Sequence, residues 1–239
     1  MALPLYLAMT AAELFCASEL PPYCGYMAYH FSPYSTGLSN FPPALPEGSV
    51  LILNDRTPAH GHDPDLIAQQ LSRCVEEHSA CGILLDFQRP GCSEISKIAQ
   101  AIVHHAPCPV AVSPDYSQQL SCPVFLPPPP LNCLLRDYIA PWQDRELWLE
   151  AALDRRQITL TAQGCSISTD ASEPTTAYPF TDPLLHCHYR IETTQDQAHF
   201  LLQRTSDDLN NLLQEAESLG ITNAIGLYQE LSPFSNTLT

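Results

Sequence analysis

Short apolar runs alternate with helix-like segments along most of this chain, and this alternation restricts its fold more than any other feature. Some runs are purely aliphatic, such as Val50–Leu53, as expected for strands covered on both faces. Strands that alternate with helices predict a parallel α/β fold. Eight strands are predicted: Leu3–Ala8, Cys24–Phe31, Ser49–Leu53, Gly82–Phe87, Pro109–Ser113, Pro123–Leu126, Leu147–Ala151 and Asn223–Tyr228.

Helix start signals lie between these strands. Asp63 precedes Pro64, which places an N-cap before a first-turn proline, and Thr10 with Glu13 forms a capping-box pattern. The crossover after the fifth strand is too short for a normal helix, so we expect at least one degenerate unit. Helices are predicted after Asp63, after Ser93 as an N-cap, over Leu131–Ile139 and over Ser206–Leu219.

Residues 157–205 interrupt the alternation with two hairpin-like segments, Ile158–Ser168 and His186–Arg204. Eight parallel strands in a chain of 239 residues fit a compact (β/α)8 TIM barrel with a small antiparallel insertion after strand seven. An open doubly wound sheet is the alternative, and it would follow if one terminal strand failed to close the ring. The predicted organisation places barrel strands one to seven in residues 1–156, the insertion in 157–205, and the last helix and strand eight in 206–239.

The charge and cysteine content limit the partners and the location. The chain has 26 acidic against 10 basic residues, a net charge of −16, so we expect neither nucleic acid nor an anionic membrane as a partner. The chain contains no stretch of 18 apolar residues, so no membrane-spanning helix is predicted. The ten cysteines contain no Cys-x-x-Cys pair, and several occupy apolar positions, which favours a reducing, cytoplasmic location. The oligomeric state stays open.

The chain lacks the residues that several cofactors require. The single lysine, Lys97, lies on the predicted solvent side of a helix, which argues against Schiff-base and pyridoxal-phosphate chemistry. No Gly-x-Gly occurs, so neither a dinucleotide fingerprint nor a P-loop is present. His60 and His62 lie past strand three and suggest metal ligands, but no histidine follows strands five or six to complete the set. His186 and His188, the second such pair, belong to the predicted insertion, away from the rim. We therefore expect no cofactor and no metal.

The predicted strand ends bring polar side chains to one rim. In such a barrel the functional face is formed by the carboxyl ends of the strands, and alternation along strand four points Asp86 and Gln88 into it. Arg56 and Arg89 follow strands three and four and could bind a carboxylate or pair with acids of the rim. The same parity predicts the other rim residues: Tyr6, Thr10, His30, Ser113, Asp115, Trp148, Glu150, Tyr228 and Glu230.

The segment Cys81-Gly-Ile-Leu-Leu-Asp-Phe-Gln-Arg-Pro-Gly91 resembles the strand-four signature of family 18 glycoside hydrolases, Asp-Gly-x-Asp-x-Asp-x-Glu. It is the fourth predicted strand, and strand eight ends in Tyr228, where that family usually has Trp. The signature is degenerate: Cys81 and Leu84 replace its first two aspartates, Asp86 is retained, and Gln88 stands at the general-acid position. The strand-six Met-x-Tyr-Asp pattern of the family is also missing.

Because an amide cannot supply a proton, the resemblance implies a barrel that binds a glycan or small polar ligand without that family's hydrolysis. An active glycoside hydrolase using Glu150 and Glu230, with Asp86 in support, is one alternative. Carboxyl groups about 5–5.5 Å apart would indicate retention, and about 6.5–9.5 Å inversion. A structural or partner-binding barrel is the other alternative. The candidate ligand contacts are Tyr6, His30, Gln88, Arg89, Asp115, Trp148 and Tyr228.

Overall fold

A computed structural model describes residues 3–42, 44–89, 91–168, 178–235 and 238 of the chain. Its strands are β1 (Leu5–Met9), β2 (Cys24–Phe31), β3 (Leu38–Ser39), β4 (Val50–Asn54), β5 (Gly82–Asp86), β6 (Val110–Val112), β7 (Val124–Leu126), β8 (Leu147–Ala151), β9 (Arg155–Thr161), β10 (Gly164–Ser168), β11 (Phe180–Asp182), β12 (Cys187–Thr193), β13 (Gln197–Gln203) and β14 (Asn223–Leu227). Its α-helices are α1 (Ala11–Cys16), α2 (Pro64–His78), α3 (Ser93–His105), α4 (Pro114–Ser117), α5 (Leu135–Ile139), α6 (Ser206–Ser218) and α7 (Tyr228–Leu231), and 3-10 turns cover Ala140–Trp142 and Ser232–Phe234.

Eight parallel strands close into a ring. They are hydrogen-bonded in the order β1-β14-β8-β7-β6-β5-β4-β2, and β2 pairs with β1 to complete the circle. Leu5 pairs with Ala224 on one side of β1, and Leu7 pairs with Cys24 on the other. The short β3 adds an antiparallel strand to the end of β2. The predicted TIM barrel is therefore confirmed, and the open sheet is excluded.

The helices follow the local signals with small differences. The side chain of Asp63 accepts the amide N–H of Asp65 at 3.0 Å and starts α2 at Pro64, as predicted. The cap of α3 is Cys92 and not Ser93, and its side chain makes no capping bond. The unit after β6 is the predicted degenerate one, because α4 has only one turn. The predicted helix over Leu131–Ile139 is reduced to α5.

The interior of the barrel is packed and is separate from the apolar layers outside it. Gly82 leaves room for the large indole of Trp148, since a Cβ atom there would lie 2.8 Å from Trp148 Cη2. Outside the ring, one layer joins the strands to α2 and α3, and a second joins them to α5 and α6. The barrel is thus a filled core and not a pore. The interior cluster consists of Tyr6, Ala8, Val50, Ile52, Leu84, Ala111, Phe125, Trp148 and Ile225.

The insertion lies between β8 and α6, after the seventh barrel strand, as predicted. It is one antiparallel sheet with the order β10-β9-β13-β12-β11, in place of two separate hairpins. The two predicted hairpins join because β13 pairs with β9 over seven residues, from Gln203 opposite Arg155 to Gln197 opposite Thr161. The sheet begins at Arg155 and ends at Gln203, with β11 as an additional strand.

The insertion is fixed to the barrel at its base. Leu131 packs against Cys187 and Leu202 of the sheet. The chain enters and leaves the sheet at adjacent points, because the N–H of Arg204 donates to the carbonyl of Asp154 at 2.9 Å. Two histidines also reach α6: His186 Nε2 lies 2.5 Å from Glu215 Oε2, and His188 Nδ1 lies 2.7 Å from Asp208 Oδ2.

Candidate functional site

A cavity of about 50 Å³ opens at the carboxyl ends of the barrel strands, and we call it the mouth cavity. Asp86 at the end of β5 and Glu150 in β8 both line it, so the predicted convergence of these two carboxyl groups is observed. A water molecule occupies about 30 Å³ in the liquid, so the cavity admits a small group and not a sugar ring. Its other lining residues are Ala8, Met27, Ile52, Leu84, Phe125, Ile225, Gly226 and Leu227.

The carboxyl groups of this mouth are poorly solvated. Burial raises the pKa of Glu150 to about 7, and the nearby charges of Asp86 and Glu230 act in the same direction. Burial also raises the pKa of Asp86, although a hydrogen bond from Gln88 opposes the shift. The pKa of the Glu150 carboxyl is thus moved towards neutral pH, a property typical of groups that transfer protons.

The loop after β5 is held by the neighbouring loop after β4. The side chain of Asp55 is buried and accepts the backbone N–H of Gln88 at 3.1 Å and that of Arg89 at 2.8 Å. With its backbone fixed, Gln88 donates from Nε2 to Asp86 Oδ1 at 3.2 Å. The sequence prediction did not include Asp55, although an acidic residue directly after a barrel strand is a signal for such a brace.

The other side of the same loop is held by residues that follow β6. The Ser113 hydroxyl accepts the N–H of Phe87 at 3.0 Å and donates to the carbonyl of Leu85 at 3.0 Å. Tyr116, also absent from the prediction, donates its hydroxyl to the carbonyl of Arg89. The guanidinium of Arg89 itself donates to the carbonyl of Arg56 at 2.7 Å. The loop that carries Gln88 is thus fixed from both neighbouring strands.

Tyr6 and Trp148 face the barrel interior, as predicted, but they lie near its amino-terminal end and not at the rim. The Tyr6 hydroxyl lies 3.1 Å from Cys81 Sγ, and Trp148 Nε1 lies 3.3 Å from Glu146 Oε1. Cys81 and Glu146 precede their strands, so both aromatic rings fill the end opposite the mouth. Their predicted placement at the rim is wrong, because alternation gives the side of a strand and not the height along it.

The parity predicted for strand eight is wrong by one residue. Ile225 and Leu227 of β14 face the mouth cavity, whereas Tyr228 begins α7 and packs against the outer apolar layer. Glu230 lies on α7, and its carboxylate accepts the backbone N–H of Leu153. Glu230 remains close enough to raise the pKa of Glu150, although it does not line the mouth cavity.

His30, Asp115 and Thr10 are not brought to the mouth cavity. A register irregularity in β2 between Tyr26 and Tyr29 interrupts the alternation before His30, whose Nδ1 lies 3.1 Å from the carbonyl of Ala28. Asp115 is in the first turn of α4 and faces a shallow pocket at α3. Thr10 caps α1 through the predicted capping box with Glu13.

The histidine pairs considered as metal ligands have other contacts. His186 and His188 pair with acidic residues of α6, His62 Nε2 lies 2.9 Å from the carbonyl of Ser32, and His60 Nδ1 lies 3.9 Å from Glu94. Among the described residues, no group of three or more His, Cys, Asp or Glu side chains could hold a metal ion.

No helix within the residues that the structure describes is long and apolar enough to span a membrane.

The sequence matches no protein-family model and no curated protein sequence. Solved structures, in contrast, match over nearly the whole chain. The fold resembles that of family 18 glycoside hydrolases. A family 18 chitinase from Cycas revoluta, described in complex with (GlcNAc)3, has a TM-score of 0.56 at 8% identity and covers 99% of this chain and 97% of its own.

Two bacterial enzymes have folds that are similar to this chain to nearly the same degree. A family 18 N-acetylglucosaminidase from Paenibacillus barengoltzii has a TM-score of 0.53 at 8% identity, with 94% of each chain covered. The spore cortex-lytic enzyme SleL from Bacillus megaterium has a TM-score of 0.52 at 10% identity and covers 94% of this chain and 70% of that one. The resemblance inferred from strand four is confirmed at the level of the fold.

Proposed function

We propose that this chain is a carbohydrate-binding barrel that holds a sugar over the mouth cavity and lacks the hydrolytic step of the family it resembles. The Asp86–Gln88 pair carries this proposal. An amide stands where the resemblance implies the proton-donating carboxyl, and it donates to Asp86 at 3.2 Å. The pair offers a sugar hydroxyl both donors and acceptors, whereas a neutral amide has no proton for a leaving group.

The fold comparison supports the ligand class. The Cycas revoluta chitinase is described in complexes with (GlcNAc)3 and with allosamidin, which makes an N-acetylglucosamine oligomer the first probe. The mouth cavity of about 50 Å³ is too small for a ring. A sugar would therefore rest across the rim, with one substituent entering between Asp86 and Glu150.

Isothermal titration with (GlcNAc)3 at neutral pH tests the proposal. We expect binding, and we expect Gln88→Ala to weaken it about fivefold, since one hydrogen bond contributes about 1 kcal/mol. Gln119→Ala, which removes the same side chain from the exposed residue after α4, serves as the control. If neither (GlcNAc)3 nor other neutral oligosaccharides bind, the proposal is wrong. Cleavage by Gln88→Glu and not by the parent protein would support the loss of the acid.

Glycoside hydrolysis with Glu150 as the proton donor is a second candidate. Its support is the position of Glu150 in the mouth cavity together with its pKa of about 7, which suits a general acid at neutral pH. Asp86 would supply the second carboxyl group that such reactions need. Release of 4-nitrophenol from a chito-oligosaccharide glycoside tests this candidate. Activity that persists unchanged in Glu150→Gln or in Asp86→Asn would exclude it.

A further inference from the structure

A cavity of about 740 Å³ opens at the amino-terminal end of the barrel, opposite the mouth, and we call it the base cavity. Three of its lining residues establish this position: Leu5 begins β1, and Tyr23 and Thr222 directly precede β2 and β14. Pockets that bind small molecules usually measure about 300–1,000 Å³, so the base cavity has the size of a ligand site.

The base cavity exists because the two helices that follow β1 and β14 are short. The fifteen residues of α2 span about 22 Å, whereas the six residues of α1 span about 9 Å and end far from the start of the strand. None of the side chains of α1 is buried, and α7 has only four residues. Apolar side chains at the start of β1, such as Leu3 and Leu5, are therefore only partly buried.

The polar side chains of the base cavity are already hydrogen-bonded within the protein. The Tyr6 hydroxyl lies 3.1 Å from Cys81 Sγ, and the Thr222 hydroxyl donates to Glu146 Oε1 at 2.9 Å. The hydroxyl of Ser235 donates to the carbonyl three residues earlier at 3.0 Å. A bound molecule would therefore gain little from hydrogen bonds with these side chains.

The backbone of the cavity wall is equally poor in free polar groups. Pro4, Pro21 and Pro22 line the cavity and have no N–H. The carbonyl of Pro4 accepts the N–H of Ala224 at 2.9 Å, and the carbonyl of Tyr23 accepts an N–H of β1 at 3.0 Å. Apolar contact is thus the main interaction that this wall offers.

The exposed surface of the base cavity is apolar and partly aromatic. The rings of Tyr6 and Tyr23 meet edge to face with centroids 5.4 Å apart, and Tyr23 is 45% exposed. Leu5 and Ile221 extend this wall. Among the described lining residues, Glu217 is the only one that carries a charge, and its carboxylate disfavours an anion.

We propose that the base cavity is a second ligand site, which binds an uncharged, apolar small molecule. Its volume, its bonded polar groups and the charge of Glu217 carry this inference. The site lies at the opposite end of the barrel from Asp86 and Glu150, so it does not depend on the proposed function.

Two dyes with the same ring skeleton test the ligand class. Phenylnaphthylamine is uncharged, whereas anilinonaphthalenesulfonate carries an added sulfonate, and the fluorescence of both increases in apolar surroundings. For the parent we expect one phenylnaphthylamine bound per chain, and binding of the sulfonate at least about fivefold weaker because the Glu217 carboxylate repels it. Glu217→Gln should reduce this difference.

Variants of the cavity wall test the location. Tyr23→Ser removes the exposed aromatic ring and Ser235→Trp fills the cavity, so both should bind phenylnaphthylamine at least about fivefold more weakly. Tyr34→Ser, at a residue 96% exposed in the loop after β2, is the matched control and should bind like the parent. Thermal unfolding shows that each variant is folded, and Tyr23→Ser keeps the test decisive if Ser235→Trp disturbs its turn.

Several results would overturn the inference. They are no binding of phenylnaphthylamine by the parent, equal affinity of the parent and both cavity variants, and binding of the sulfonate as tight as that of the uncharged dye. A dimer in light scattering that dissociates in Tyr23→Ser would show instead that a second copy covers the cavity. Displacement of the dye by (GlcNAc)3 would place the dye at the mouth, whereas a failure of (GlcNAc)3 to bind affects the proposed function alone.

Discussion

A carboxyl group enclosed by apolar strand ends is easier to bury protonated than charged, and Glu150 is in this situation. Its apolar neighbours in the mouth cavity include Phe125 and Leu227, and the nearest charges that act on it, Asp86 and Glu230, are also acidic. The folded protein therefore holds the Glu150 proton more tightly than the unfolded chain does.

The first prediction concerns the pH dependence of stability. The pKa of Glu150 rises from an ordinary value near 4.5 to about 7 on folding. The stabilisation is complete below pH 4.5 and is lost as the pH rises through 7. Glu150→Gln, which stays neutral, should raise the free energy of unfolding at pH 8 by about 1–3 kcal/mol relative to the parent, with no gain at pH 4.

Urea unfolding at several pH values measures this difference. Glu47→Gln, at an exposed residue before β4, is the matched control and should leave the profile unchanged. Parallel profiles for the parent and Glu150→Gln between pH 4 and 8 would contradict the prediction.

The second prediction concerns Asp55, which braces the Gln88 loop. Asp55→Asn keeps the shape but turns one acceptor into a donor facing a backbone N–H, at a buried position. We expect a loss of about 1–3 kcal/mol in the free energy of unfolding and weaker binding of (GlcNAc)3, because Gln88 loses its fixed backbone. Asp144→Asn, at an exposed residue, controls for the charge. Unchanged stability would show that the brace is unimportant.

At the scale of strands and helices, the sequence predicts which segments form elements better than how those elements align. Short apolar runs, aliphatic in β4 and partly aromatic in β2, are enough to identify the eight barrel strands. The height of Tyr6 and Trp148 in the barrel depends on the stagger between tilted strands, and no local pattern records that stagger. Tyr228 has a different cause: β14 is apolar on both faces, so alternation along it does not decide whether Leu227 or Tyr228 faces the mouth.

The third prediction tests the packing between β5 and β8. Gly82→Ala would place a methyl group 2.8 Å from Trp148 Cη2, so we expect a loss of about 1–3 kcal/mol through overpacking. Trp148→Phe leaves room beside residue 82, so the double variant should lose less than the sum of the single changes. Additive losses in a double-mutant cycle of chemical unfolding would contradict this contact.

At the scale of the whole molecule, the insertion is a second sheet that depends on a few contacts with the barrel. The sequence locates it through two hairpin patterns, but the pairing of β9 with β13 joins segments about 40 residues apart and is not visible in local alternation. The contacts of His186 and His188 with α6 are also tertiary and are not visible in the sequence. There, the two histidines suggested metal ligands instead.

The fourth prediction concerns this anchor. His188→Ala removes the 2.7 Å contact with Asp208 but leaves the capping box of Thr205 and Asp208 in place. We expect amide hydrogen exchange in β11–β13 to become about fivefold faster, while exchange in β4 and β5 stays unchanged. His104→Ala, at the exposed end of α3, is the control. Equal acceleration throughout the barrel would indicate global destabilisation and contradict a local anchor.

The hydrogen bond between the Arg204 N–H and the Asp154 carbonyl has a consequence for how such a protein can be rearranged. Because the polypeptide leaves the barrel and returns to it at adjacent residues, the inserted sheet is connected to the barrel at one place. A linker of a few residues could join these two points, and the ring of parallel strands would keep its order. Recombination or protein engineering can therefore exchange the inserted sheet while the carboxyl pair at the barrel mouth, Asp86 and Glu150, stays in place.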